Sequence, residues 1–267
     1  MLRKEVIGDA TLYLGDCRDY LPAIRCDHII TDPPYEAEAH GAGKRLLGRR
    51  GEAPAGSAER VIQPAALDFA AMDEELRAHV CAWAGTHCSG WFLAFCQAEA
   101  VSVWRTAMEA GGAKWRRAMV WIKPDSSPQL SGDRPAQGYE SIAAAWCGEG
   151  GSRWNGGGKR GVFTFGKHDP GQGHGGGANE HPTQKPRLLM AQLVELFTNP
   201  GELIADGFMG SGTTGVAALM AGRRFVGCEK TPAQFSIACR RIEQAYKQRP
   251  LFEAEPAPQP VQLGIEA

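Results

Sequence analysis

The chain has 267 residues, 43% of them apolar, with 34 Gly and 17 Pro, which allows one substantial core and many loops. Its formal net charge of −1 excludes a global positive field that would draw it onto nucleic acid. No apolar run approaches the length of a membrane-spanning helix, and the eight cysteines form no C-x-x-C pair and no zinc spacing. Free thiols, and a start (Met1-Leu2-Arg3-Lys4-Glu5) that leads into no apolar signal region, are read as a cytoplasmic setting without membrane contact.

Taken in chain order, residues 10–14 read as a short strand followed by Gly15-Asp16, and Asp27 to Thr31 as a second strand that stops at Pro33-Pro34. Residues 36–65 lack apolar periodicity and hold Lys44, Arg45, Arg49 and Arg50 among glycines and alanines, the pattern of a loop. A helix is predicted over 73–85. Trp91 to Cys96 is a continuous apolar run, as expected of a strand buried on both faces. A helix over 98–110 and strands over 117–122 and 141–146 follow. Residues 148–179 are glycine-dominated, with Arg153, Trp154, Lys159 and Arg160 between the glycines, and are read as a long irregular segment, functional or disordered. Pro186 is placed at the first position of a helix that Asn199-Pro200-Gly201 ends. Then come a strand over 203–205, a helix over 213–221, a strand over 225–228 and a last helix over 232–247. The single domain is taken to end near 249, and the proline-rich tail 250–267 is read as disordered. Strands alternating with helices imply an α/β fold with a largely parallel sheet, whose ligands sit at the carboxyl ends of the strands.

Two motifs fall at such ends. Gly210-Ser211-Gly212-Thr213-Thr214-Gly215 matches G-x-G-x-x-G after a strand and before a helix. Glu229 closes the next strand, where a carboxylate accepts from ribose hydroxyls. Thr213 stands where a nucleoside-triphosphate loop needs Lys. A dinucleotide, S-adenosylmethionine or a tight structural turn each remains compatible with the loop. The other motif is Asp32-Pro33-Pro34-Tyr35. Its prolines fix φ and remove two N–H donors, leaving a rigid edge with two acceptors, the Asp32 carboxylate and the Pro33 carbonyl. An exocyclic base amine offers two matching N–H donors. Tyr35 offers a flat face on which a base stacks, a contact worth roughly 1–3 kcal/mol.

These residues resemble the amino-methylating DNA methyltransferases of the beta group, in which the catalytic motif precedes the cofactor motif. The resemblance rests on Gly15-Asp16-Cys17, Asp32 to Tyr35, Trp91 to Cys96, His181-Pro182-Thr183-Gln184-Lys185-Pro186, Asp206 to Thr213 and Phe225 to Glu229. Gly207 departs from the Asp-Pro-Phe usual in that family. The resemblance implies a Rossmann-like S-adenosylmethionine-dependent methyltransferase fold: a mostly parallel twisted sheet, helices on both faces and one antiparallel hairpin. It implies a cofactor site of Asp16, Thr183, Lys185, Asp206, Phe208, Gly210, Ser211, Gly212, Thr213 and Glu229, with Thr183 and Lys185 at the methionyl end and S-adenosylhomocysteine as product. It assigns Asp32 to Tyr35 to a flipped-out base, N6 of adenine rather than N4 of cytosine because Asp stands at position 32. It calls for no metal. Double-stranded DNA is the implied partner, a homodimer is compatible, and the setting is a bacterial or phage-infected cell, with or without a cognate restriction enzyme. DNA contacts are expected from Lys44, Arg45, Arg49 and Arg50 and from Arg153, Trp154, Lys159 and Arg160. A nicotinamide oxidoreductase leaves Asp32 to Tyr35 and the His181 block unexplained. A non-catalytic DNA-binding protein on this fold has no need of both Asp32 and Glu229.

Overall fold

The computed structural model describes residues 3–35, 72–129, 132–167 and 184–248. Lys44, Arg45, Arg49 and Arg50, the first half of the His181 block (His181, Pro182 and Thr183), and residues 250–267 lie outside the described residues.

Among the described residues, nine strands form one sheet. They are β1 (Arg3–Ile7), β2 (Ala10–Leu14), β3 (His28–Thr31), β4 (Trp91–Cys96), β5 (Lys114–Ile122), β6 (Tyr139–Trp146), β7 (Val162–Thr164), β8 (Leu203–Asp206) and β9 (Arg224–Glu229). Their order is β1-β2-β9-β8-β3-β4-β6-β5-β7. The run β2-β9-β8-β3-β4 is parallel throughout. Two hairpins break the parallel pattern where one was expected: β1 pairs antiparallel with β2, and β6 runs antiparallel between β4 and β5. The short β7 pairs in parallel with β5 inside the stretch read as loop.

Period-two alternation in β4 sends Trp91, Leu93 and Phe95 to one face and Phe92, Ala94 and Cys96 to the other, and every one is buried. Each face is then covered by three helices. On the first lie α4 (Arg187–Phe197), α5 (Thr213–Met220) and α6 (Pro232–Gln248), through Leu189, Leu193, Leu219, Phe235 and Ile242. On the second lie α1 (Cys17–Tyr20), α2 (Glu74–His87) and α3 (Val101–Ala110), through Tyr20, Val80, Trp83, Trp104 and Met108. Pro186 is the N-cap of α4 rather than its first helical residue. The extended φ/ψ it adopts there belongs to a capping position.

The chain leaves β3 toward β4 on one side and leaves β8 toward β9 on the other. The order therefore reverses between β3 and β8, and a crevice at such a reversal is where an open α/β sheet takes its ligand.

Candidate active site

Four adjacent parallel strands end in, or run directly into, a carboxylate at this edge. Asp16 follows β2, Glu229 closes β9, Asp206 closes β8 and Asp32 follows β3. Neighbouring strands are roughly 4.8 Å apart, so the row spans the crevice.

Asp206 is the innermost, 2% exposed. Its Oδ1 accepts from Thr31 Oγ1 at 2.6 Å and from the Phe208 N–H at 3.0 Å, and its Oδ2 from Thr214 Oγ1 at 2.7 Å. One carboxylate thus ties the end of β3, the glycine loop and the first turn of α5 together. Its oxygens are spent inside the protein, so the structure gives it an anchoring position behind the cleft rather than a ligand-facing one. Burial pushes its carboxyl up from the ordinary 3.8 to about 6, against the three hydrogen bonds that pull it down. The native state therefore holds this proton more tightly than the unfolded chain. The group stabilises the fold below about pH 4, and that contribution, about 3 kcal/mol, is lost as pH rises through about 6. Asp206→Asn removes the titration. In urea denaturation, the stability of the parent relative to this variant should fall by about that amount between about pH 4 and pH 7. A difference that stays flat across this range contradicts the assignment.

The glycine loop follows. Gly210 and Gly212 have φ of 52° and 81°, a region closed to most side chains, and Gly212 caps α5 in that conformation. A Cβ on Gly215 would come within 2.8 Å of Phe225 and 2.7 Å of Ile242, so its hydrogen lets α5 and α6 close on the sheet. Ser211 and Thr213 turn their hydroxyls to Arg241 of α6, whose Nη1 donates to Ser211 O at 2.7 Å, Ser211 Oγ at 2.8 Å and Thr213 Oγ1 at 3.3 Å. Only their backbone is left to face the cleft. Phe208 is half-buried against the core beneath the loop. Glu229 accepts from the Gly210 N–H at 3.0 Å and from the Thr231 N–H at 2.6 Å, one bond to each oxygen, which leaves further lone pairs on both. Asp16 caps α1 and is gripped by Arg18, whose Nε and Nη2 donate at 2.9 and 2.8 Å. Those bonds lower its carboxyl to about 2. Cys17 and Cys228, which flank this region, are buried thiols. Burial pushes Cys17 up to about 12, far from a nucleophilic thiolate.

Across the crevice, Asp32 to Tyr35 leave β3 as a rigid turn. Tyr35 O accepts from the Met72 N–H at 3.1 Å, just before α2. Lys185 Nζ donates to Asp32 Oδ2 at 2.6 Å and stands 3.4 Å from Glu140 Oε2. Its ammonium lies 5.7 Å from the Tyr35 ring centroid and 4.9 Å from that of Phe95. Lys123 donates to Glu140 Oε1, and the Tyr35 hydroxyl borders the same carboxylate. Burial opposes the charge on Lys185, but Asp32 and Glu140 outweigh it and hold its pKa above the ordinary lysine range. Burial also raises Asp32; Lys185 pulls it back and Glu140 pushes it further up. Burial likewise pushes Glu140 up, but Lys185 and Lys123 overcome this and leave it below its ordinary value. A cavity of about 130 Å³ opens beside the cluster, lined by Tyr35, Gln97, Lys123, Gln137 and Glu140. Lys185, expected at the methionyl end of a cofactor, thus makes its contacts with the Asp32 turn. Glu140, Lys123 and Arg241 were absent from the sequence reading.

The fold divides the second set of expected DNA contacts. Trp91 Nε1, at the start of β4, donates to the Arg153 carbonyl, and Asn155 bonds to the last turn of α4 through Leu196 O at 2.9 Å and Thr198 O at 2.9 Å. Arg153 and Trp154 therefore lie at the amino end of β4, about 20 Å from Asp32 along a six-residue strand, whereas Lys159 and Arg160 lead into β7, where Gly161 O accepts from the Val120 N–H near the carboxyl end of β5. Trp154 packs edge-on against Phe197, centroids 4.9 Å apart, and bonds Gly157 O at 2.7 Å. It is a core-packing side chain.

The sheet order, the glycine loop after β8 and the turn after β3 define a Rossmann-like methyltransferase fold. Two solved structures share it: the M1.HpyAVI-SAM complex (TM-score 0.62, 22% identity, covering 87% of this chain and 98% of that one) and the cytosine-N4-specific PvuII DNA methyltransferase (TM-score 0.64, 14% identity, covering 91% and 93%). A DNA methylase family model, that of the N6 and N4 methyltransferases, matches residues 26–240, and the chain belongs to that family. Among curated relatives, Type II methyltransferase M2.DpnII of Streptococcus pneumoniae is 46% identical over 66 residues, 25% of each chain. DNA adenine methyltransferase YhdJ of Escherichia coli K12 is 40% identical over 65 residues, 24% of this chain and 22% of that one. The matched stretches thus span a quarter or less of these relatives' lengths.

Proposed function

We propose that the protein transfers a methyl group from S-adenosylmethionine to an exocyclic amine of a DNA base, N6 of adenine. One observation carries the reading: the Asp32 turn and the glycine loop stand side by side at the strand-order reversal, joined through the Thr31–Asp206 bond. An amine acceptor and a nucleoside cradle are thereby held in register.

The cleft suits this cofactor. It carries a sulfonium charge, which a row of strand-end carboxylates favours. Glu229 has lone pairs free for two ribose hydroxyls, and a Cβ added at Gly210 would meet nothing within 4 Å, which leaves room for a close-lying ligand. Phe208, Asp16 and the backbone of Gly210 to Thr213 complete the cradle. When bound, S-adenosylmethionine supplies an electrophilic methyl group.

The chain's own residues prepare the acceptor. A base amine is out of reach inside the duplex and must be rotated out of the stack. Tyr35 then supports the base. Asp32 and the Pro33 carbonyl accept the amine's two hydrogens, which draws the nitrogen toward tetrahedral geometry and releases its lone pair from the ring; once methylated, the nitrogen sheds one of these protons to solvent. Pro34 keeps the turn rigid, so these acceptors are preorganised and reorganise little during transfer. Adenine is favoured over cytosine by Asp at position 32 and by the relative named a DNA adenine methyltransferase. Duplex DNA is the partner. The basic loop holding Lys44, Arg45, Arg49 and Arg50 follows directly on the catalytic turn in sequence and is the proposed DNA contact. The test is the identity of the methylated nucleoside formed in unmethylated DNA.

A further inference from the structure

Asp32 must have its carboxylate free to accept from an amine, yet Oδ2 is already taken by the Lys185 ammonium at 2.6 Å. The same ammonium forms a second, longer ion pair, 3.4 Å, with the buried Glu140 Oε2. Glu140 is only 8% exposed, and its other oxygen is held by Lys123. One buried ammonium is thus shared by two carboxylates, tightly by Asp32 and loosely by Glu140, which leaves Glu140 room for a shorter bond.

We propose that Lys185 is a placeholder: it neutralises Asp32 while no base is present and, when an exocyclic amine arrives, passes its ammonium to Glu140 Oε2. Glu140 is then a positioning residue that acts through Lys185. The proton stays on Lys185 throughout, and no covalent bond forms or breaks. The two acceptors already share one ammonium, so the exchange needs rotation about the last side-chain bonds and no backbone shift. The cation remains near the rings of Phe95 and Tyr35 in either position, a favourable setting for a desolvated charge. Lys123 holds the receiving carboxylate in place. The exchange also improves the charge balance of the reaction. An amine nitrogen that takes a methyl group becomes positive, and an ammonium left on Asp32 would oppose it. Once that ammonium lies on Glu140, the Asp32 charge faces the nitrogen.

The inference rests on the methyl-transfer reading, and its test separates the two. Glu140→Gln, Lys185→Gln and the double variant are compared with the parent in initial-rate methylation of unmethylated plasmid DNA. KM for DNA and kcat are read separately, and S-adenosylmethionine binding is followed by calorimetry. Glu140→Gln strands the ammonium on Asp32, so KM for DNA should rise about tenfold while cofactor affinity stays within about twofold. In the Lys185→Gln background the same change should move KM by less than about twofold, because no ammonium needs a receiver. Losses that multiply in the double variant overturn the handover and give Glu140 a role of its own. Lys185→Arg is a second arm that leaves Glu140 intact. Its fork locks bidentate onto Asp32 and should raise KM more than Lys185→Gln does; the reverse order overturns the proposal. An inactive parent overturns the methyl-transfer reading and this inference with it.

Discussion

Asp32→Ala should lower methyl transfer by at least about a thousandfold, as expected when a preorganised polar partner of the reacting group is removed. S-adenosylmethionine binding should remain near that of the parent. The reason is positional. Asp32 follows β3 on the far side of the strand-order reversal from the glycine loop, and the loop keeps its own anchors through Asp206, Glu229 and Arg241. Lys185 loses its nearest anion but keeps Glu140, so the variant is not left with an unpaired buried ammonium. Asp32→Asn tests the chemistry more finely. It preserves the shape and keeps the one acceptor oxygen the amine needs from this position but removes the negative charge, so its activity should fall between the parent and Asp32→Ala. Calorimetry and a methyl-transfer assay on the same preparations decide the matter. Loss of cofactor binding together with activity would show that the division between turn and loop is wrong.

Glu229→Ala should weaken S-adenosylmethionine about a hundredfold or more, on the basis of two hydrogen bonds to a charged group at about 1.5–3 kcal/mol each, partly replaced by water. The variant also frees the Gly210 and Thr231 N–H groups, so the loop loses a fixed distance to β9. Glu229→Gln keeps one acceptor and should fall between, at about tenfold. Titration calorimetry reads both. An affinity unchanged in Glu229→Ala would remove Glu229 from the ribose position and leave it as a loop anchor only.

The parts of the molecule that obey a local rule were legible in the sequence. Trp91 to Cys96 has no polar position because both faces of β4 are covered, and its burial is complete. The glycine loop carries its conformation in residue type, since the positive φ at Gly210 and Gly212 admits little else. The strand β1 escaped notice because it is an edge strand with exposed Arg3, Lys4 and Val6, whose pattern resembles a solvated terminus. β7 is three residues long in a glycine-rich stretch, too short to show a period. Glu140 and Lys123 were missed for a different reason. A charge at a strand end reads as surface, and only the fold brings Glu140 against Lys185, 45 positions later, and Asp32, 153 positions before Lys185. Trp154 misled because an aromatic among cations fits a DNA-binding loop equally well. Its place is decided by packing on Phe197, which no local pattern records.

The most direct measurement is mass spectrometry of nucleosides from unmethylated plasmid DNA incubated with the protein and S-adenosylmethionine. The account predicts N6-methyladenine that is absent when either the protein or the cofactor is omitted. N4-methylcytosine in its place would contradict the base assignment while keeping the Asp32 chemistry. No methylated nucleoside from a protein that still binds S-adenosylmethionine would contradict DNA methyl transfer itself.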